Sequence, residues 1–389
     1  MTDLHTRMAL MVGVVALVAT GWWAFGPKEQ GYVFDVPQGI PPPHVPDDNP
    51  MTDAKVELGR YLFYSKQLSI NGEQSCASCH RQELAFTDGR PTAVGTTGEV
   101  HFRGSMTLTN AGYAQRLTWA SSLVDDLAAQ ALLPMFGETP VELGLAGKED
   151  VLMQRMRDDQ ALAPRFKAAF PDDKDPFTLQ NLTHAIACFE RTLVSFDSPY
   201  DRYLQGDFKA LTDEEKKGME LFFSERTECH HCHNGFNFSA STDHTGDIAV
   251  EEAFHNTGLY NVDGKGAYPK VDPGLYAVTR KPADMGRFRA PTLRNVAVTA
   301  PYMHDGSIAT LDDVIDHYAN GGRHLQSGEH VGDGSKSPLK SDFIVGFALK
   351  ASEKKALLAF LRTLTDDTFL NDPRFADPYA ATSTSAAAK

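Results

Sequence analysis

Two C-x-x-C-H motifs, Cys76-Ala77-Ser78-Cys79-His80 and Cys229-His230-His231-Cys232-His233, constrain this chain more than any other feature. The pattern is the signature of covalent c-type haem attachment: both thiols add across haem vinyl groups, and the histidine supplies the proximal imidazole to iron. A zinc site or a C-x-x-C redox pair are the rival readings. Two copies, each ending in His in a chain with an export-type N-terminus, favour haem. The motifs lie about 150 residues apart, too far for one small multi-haem unit. The expected fold is therefore mainly α, with two cytochrome c-like helical domains, each holding one haem c.

The flanking segments agree with that plan. Asp53 to Phe63 is amphipathic and precedes the first motif. Thr212 followed by Glu215 forms a capping box, opening a helix that runs through Met219, Leu221 and Phe222 into the second motif. Ser352-Glu353 reads as the cap of a closing helix carrying Leu357, Leu358, Phe360, Leu361 and Leu364. The expected boundaries are 51–205 for the first domain and 206–372 for the second. Ser239 to Arg287 reads as loop. The fifth cysteine, Cys188, sits in a helical pattern and reads as an inert core thiol.

Before residue 51 the chain carries address rather than fold. Met8 to Gly26 is apolar and uncharged, a secretory signal or a single membrane anchor, with Trp22 and Trp23 placed as interfacial residues. Gly31 to Pro50 holds six prolines and reads as an extended linker. Residues 373–389 read as a disordered tail. Export points to the periplasm. The formal charge of −14 argues against nucleic-acid binding, since no Lys/Arg-rich run offsets it.

Beyond the haem motifs, several stretches resemble the di-haem cytochrome c peroxidase/MauG family over roughly Pro50 to Asp372. They are Gln130-Ala131-Leu132-Leu133-Pro134, Pro140-Val141-Glu142, Ala290-Pro291-Thr292-Leu293-Arg294-Asn295 and Pro301-Tyr302-Met303-His304-Asp305-Gly306. Trp119-Ala120 and Pro134 to Leu145 look more like the MauG homologues associated with methanobactin operons. The resemblance implies that His80 is the proximal ligand of a peroxide-reactive haem and His233 that of a second haem storing an oxidising equivalent. It also implies a distal pocket of Gln130, Pro134 and Glu142. Heterolytic O–O cleavage needs a proton moved between the two peroxide oxygens, and a carboxylate within reach can do this. Glu142 is preferred over Glu138, although the spacing from Gln130 is two residues longer than in typical peroxidases.

The second haem separates the branches. Typical peroxidases carry an axial Met fourteen residues after the His of their Tyr-x-His-Asp-Gly motif, and MauG carries Tyr. Counting from His304 reaches Tyr318. Thioether ligation favours Fe(II), whereas a phenolate is hard and anionic and favours higher oxidation states. Packing of Tyr318 in a helix, or ligation by His317 or Met303, are the alternatives. Trp119, the sole tryptophan outside the N-terminal segment, matches the family's relay between haems, against the alternative of core filling. By resemblance His304 lies near the storage haem and Arg294 pairs with a propionate. The resemblance also implies a calcium ion held by the carbonyls of Thr299 and Pro301. The family's Asn ligand is replaced here by Gly104, so water would have to complete its shell. MauG's tryptophan before the second motif is replaced by Thr227, so its route to substrate is not carried over.

Three functions follow for comparison. The preferred one is a MauG-like enzyme using hydrogen peroxide to reach a high-valent di-haem state that oxidises a residue, expected to be Trp, on a partner protein. The second is a peroxidase reducing hydrogen peroxide with electrons from a small redox protein. The third, a non-catalytic electron carrier, conflicts with Gln130, Pro134 and Glu142.

Overall fold

The computed structural model describes residues 32–244 and 253–380. The export segment and most of the alanine-rich tail lie outside the described residues. Among those described, no helix is long and apolar enough to cross a membrane. The fold is mainly helical, with two two-stranded antiparallel ribbons, β1 (Phe254–His255) with β2 (Phe288–Arg289) and β3 (His324–Leu325) with β4 (Gly332–Asp333).

The N-terminal half holds α1 (Asp53–Tyr64), α2 (Cys76–Cys79), α3 (Leu127–Phe136), α4 (Glu149–Asp158), α5 (Leu162–Ala169) and α6 (Leu179–Arg191). The rest of the chain adds α7 (Pro199–Leu204), α8 (Asp213–Phe222), α9 (Cys229–Cys232), α10 (Tyr276–Thr279), α11 (Leu311–Ala319), α12 (Ala351–Arg362) and α13 (Asp367–Asn371).

The two halves are built by the same device. Helix α1 starts where the Thr52 side chain accepts the Lys55 N–H, and its buried Leu58 and Leu62, four residues apart, face one core. It crosses α6 at Gly59, where a Cβ would come within 1.9 Å of the Ala185 carbonyl oxygen. Helix α8, with the expected Thr212–Glu215 capping box, crosses α12 at Gly218, where a Cβ would meet the Ala356 carbonyl at the same 1.9 Å. Only glycine lets the backbones approach so closely. Each crossing is followed four residues later on the partner helix by a buried phenylalanine, Phe189 and Phe360.

Three expectations need correction. Helix α12 is capped at Lys350, not Ser352: the Glu353 carboxylate accepts the Lys350 N–H at 2.8 Å, which fixes the cap two residues earlier. The proline-rich segment is extended but docked. Tyr113 donates to the Pro41 carbonyl, and Asn49 donates to the His184 carbonyl while accepting from Lys55 Nζ. Residues 373–380 are also docked, because Phe375 is a buried hydrophobic anchor and Tyr64 donates to its carbonyl at 2.7 Å.

Candidate functional site

Each attachment motif forms one short helix, α2 or α9, followed by a histidine whose ring is oriented by a carbonyl. His80 Nδ1 lies 2.8 Å from the Phe86 carbonyl, and His233 Nδ1 lies 3.1 Å from that of Phe238. Both phenylalanines take positive φ, which turns their carbonyls back. Holding the Nδ1 proton leaves Nε2 available to iron. Burial keeps both imidazoles neutral, pulling His80 down and His233 to about 4. Burial raises the thiols, Cys79 and Cys229 to about 11 and Cys232 to about 12. A C-x-x-C redox pair shows the opposite shift. Cys188 is buried and 3.6 Å from Asn49 Oδ1, remote in role from either motif.

Two clefts open beside these motifs. Cys76, Cys79, His80, Gln130, Pro134 and Glu142 line the first. Pro134 lies inside α3, so the Gln130 carbonyl, four residues earlier, loses its helical donor. The following loop is clipped back onto the helix by Leu143 N–H to the Pro134 carbonyl and Leu145 N–H to that of Met135. That clip brings Glu142 into the cleft wall, whereas Glu138 is not part of it. Burial raises the Glu142 carboxyl, and His101 Nε2 stands 3.6 Å from it.

Cys229, Cys232, His233, Met303, His304 and Tyr318 line the second cleft. Burial holds the Tyr318 hydroxyl above its ordinary range. The neighbouring His317 is buried and is not part of the cleft wall; its Nε2 bonds the carbonyl of Thr257, which does border the cleft, at 3.0 Å. His304 stacks on Phe288 at 3.6 Å and is drawn down to about 4 by burial. Thr227, Thr299, Pro301 and Gly104 also border this cleft.

Trp119 borders both clefts. Its indole N–H donates to the Gly104 carbonyl at 2.8 Å, and its own carbonyl accepts from the Arg289 N–H at 2.8 Å.

Arg294 does not reach either cleft. It is buried in a bidentate pair with Asp201, at 2.8 and 2.9 Å, and also donates to the Phe236 carbonyl. Those bonds commit most of its guanidinium to holding α7 in place, so propionate pairing is not its role. Sequence reading missed Arg289, which borders both clefts. Among the described residues its Nε is buried without a partner and Nη2 reaches only the Met106 sulfur, and burial lowers it to about 10. A buried cation lacking a carboxylate fits the carboxylates of a bound porphyrin. Its signal was proximity to the Arg294 motif, but nothing in sequence tells which arginine finds Asp201. Apolar walls, oriented imidazoles and this unpaired guanidinium together fit one haem per cleft.

Comparison with known proteins agrees with that fit. Residues 53–209 match the family described as di-haem cytochrome c peroxidase. The chain is 34% identical to a cytochrome-c peroxidase, IdrP1, of Denitromonas iodatirespirans, covering 96% of each chain. It is 32% identical to the methylamine utilization protein MauG of Methylorubrum extorquens, over 85% of this chain and 83% of that one. A crystal structure of a MauG-like protein associated with microbial copper homeostasis superposes with a TM-score of 0.87 at 49% identity, covering 90% of this chain and 99% of the other. The chain belongs to the di-haem cytochrome c peroxidase/MauG family of peroxide-dependent oxidoreductases, which carry two haem c groups.

Proposed function

We propose that this enzyme works in the MauG manner, spending hydrogen peroxide on oxidation of a tryptophan in a partner protein. The observation that carries the reading is Tyr318 in the wall of the second cleft, with the rival His317 bonded to Thr257 instead. A phenolate ligand there disfavours the reduced iron that a scavenging peroxidase needs to pass electrons onward. The 49% identity to a MauG-like protein over nearly its whole length supports the same branch.

When bound, the haems supply the two-electron reduction of peroxide to water. The chain's own residues do the rest. With a haem held in the first cleft, Glu142 would be the group that moves a proton between the two oxygens of peroxide, Gln130 would orient that peroxide, and Pro134 would shape the wall without offering an N–H. Trp119, which borders both clefts, would carry the oxidising equivalent between them, and Tyr318 would be the side chain that holds the second haem's iron. The first cleft belongs to a cytochrome c-like unit over 51–205 and the second to one over 206–372. A calcium ion on the Thr299 and Pro301 carbonyls, completed by water beside Gly104, and a periplasmic location belong to the same reading. The partner is reached by electron transfer through protein, so it need not enter either cleft.

The second reading, a peroxidase fed by a small cytochrome, has one specific observation in its favour: Met303 borders the same cleft as Tyr318. Haem-loaded Tyr318→Phe and Met303→Leu variants separate them. The first should change the second haem's absorption and EPR and abolish the long-lived oxidised species formed with peroxide. Mixing the enzyme, peroxide and each protein encoded beside it should add oxygen to a Trp in one of them, read by peptide mass. Rapid turnover of reduced cytochrome c with no modified protein overturns the proposal.

A further inference from the structure

The second attachment motif differs from the first in what it carries between its cysteines: His230 and His231 replace Ala77 and Ser78. Both imidazoles turn toward one acid. Glu225 Oε1 lies 3.4 Å from His230 Nε2, and Glu225 Oε2 lies 3.3 Å from His231 Nε2. Glu228 Oε2 approaches His231 Nε2 from another side at 2.8 Å. One ligand atom from each of Glu225, His230 and His231 falls within 4.8 Å of the others.

We propose that Glu225, His230 and His231 form a binding site for a late first-row divalent ion, Zn(II) or Cu(II), beside the second attachment motif, with Glu228 steadying the His231 ring. The geometry fits such an ion. Metal–nitrogen and metal–oxygen bonds of about 2.0–2.1 Å in a tetrahedron place neighbouring ligand atoms about 3.3 Å apart. The Glu225–His230 and Glu225–His231 contacts already have that separation. Two imidazoles with one carboxylate and a water in the fourth position suit zinc or copper, whereas calcium or magnesium would want more oxygens.

Two of the three side chains are partly buried, His230 at 23% exposed and His231 at 28%, and Glu228, which meets the His231 ring, is 20% exposed. Glu225, at 79%, is the ligand that closes the site from solvent. The ring of His231 is held in plane by Phe343, stacked at 4.3 Å and 12°. His230 lies against His231 at 4.2 Å between centroids. As plain surface ion pairs these contacts would contribute little; as a ligand set they converge. The ion would sit on the four-residue helix whose cysteines carry the haem and whose next residue is His233. A fixed positive charge there favours the reduced haem, so occupancy raises its potential.

The test uses the haem-loaded protein after chelator treatment and dialysis. Zn(II), which is redox-silent, is titrated by calorimetry, and Cu(II) by competition against it. One Zn(II) per chain is expected. Glu225→Gln, which lies outside the attachment motif and leaves it untouched, should weaken binding at least tenfold; the His230→Asn/His231→Asn double variant should abolish it. His324→Asn, removing an exposed His–Asp pair elsewhere, should leave binding unchanged. Spectroelectrochemistry should show the second haem's midpoint potential moving positive with Zn(II) in the wild type and not in Glu225→Gln at the same concentration. Absence of saturable binding, or binding unchanged in Glu225→Gln and the double variant, overturns the site. Binding with no shift in potential overturns the coupling to the haem.

Discussion

Replacing Glu142 by Gln keeps the side chain's size and removes its proton chemistry. Glu142 borders the first cleft with Gln130 and Pro134, and its nearest charged-type neighbour is His101 at 3.6 Å. Burial, and then Arg103, lower His101, so at neutral pH it brings no positive charge to oppose the burial that raises Glu142. A positioned acid–base group contributes about 10²–10⁴-fold to a rate, or roughly 2.7–5.5 kcal/mol of barrier. The Glu142→Gln variant should lose that factor in its reaction with peroxide, followed by stopped-flow absorption of the haem-loaded enzyme. The wild-type rate should fall on the acid side as the carboxylate becomes protonated, and that limb should vanish in the variant. Stability has the opposite sign. A carboxyl whose folded pKa is raised supports the fold only when protonated, and that support is lost as pH rises from the unfolded value toward the folded one. Where pH has ionised Glu142 it weighs against the fold, so there the Gln variant should melt no lower than wild type. Glu138→Gln, at a position outside the cleft lining, should react normally. A Glu142→Gln rate close to wild type, or an equal loss in Glu138→Gln, refutes the assignment.

Trp119→Phe should retain both haems and ligand binding at the first, yet stop the second from sharing the oxidation; an unchanged spectrum after peroxide would leave Trp119 as packing. Arg289→Met should lower the midpoint potential of both haems, since a buried cation bordering both clefts is removed, as read by spectroelectrochemistry. Gly218→Ala should force α8 from α12 at a cost of about 1–3 kcal/mol or more, visible as a lower calorimetric Tm with haem content intact. Intact mass of mature protein should exceed the polypeptide by two haem groups.

Local signals read well from sequence, and distant pairings did not. The attachment motifs and the Thr212–Glu215 cap depend on residues within four positions of one another, so their chemistry is visible in the string. Lys350 is not legible as a cap because residue preference points to Ser352, whereas the position of the Glu353 carboxylate decides where the helix starts. The docked proline-rich segment was read as a tether because composition reports stiffness, not what a stiff segment rests on; Tyr113 and His184, which hold it, are far along the chain. Arg294 and Arg289 show the same limit. Both are buried cations near one motif, and only the fold brings Asp201, 93 residues away, to one of them.

The docked C-terminal segment has a mechanical consequence. Helix α13 and the residues after it come from the far end of the chain, yet Gln82, two residues after His80, donates to the carbonyls of Phe369 and Asp372. Phe369 and Phe375 join Phe63, Phe86 and Phe189 in a shared apolar cluster, and Phe86 is the residue whose carbonyl steadies the His80 ring. The end of the polypeptide thus works as a latch. It fastens residues from late in the chain beneath the first attachment loop, next to the Phe86 carbonyl that holds the His80 ring. Cutting the chain after Asp366 would touch none of the groups that meet peroxide, yet it would slacken the first proximal imidazole and let the two redox centres drift.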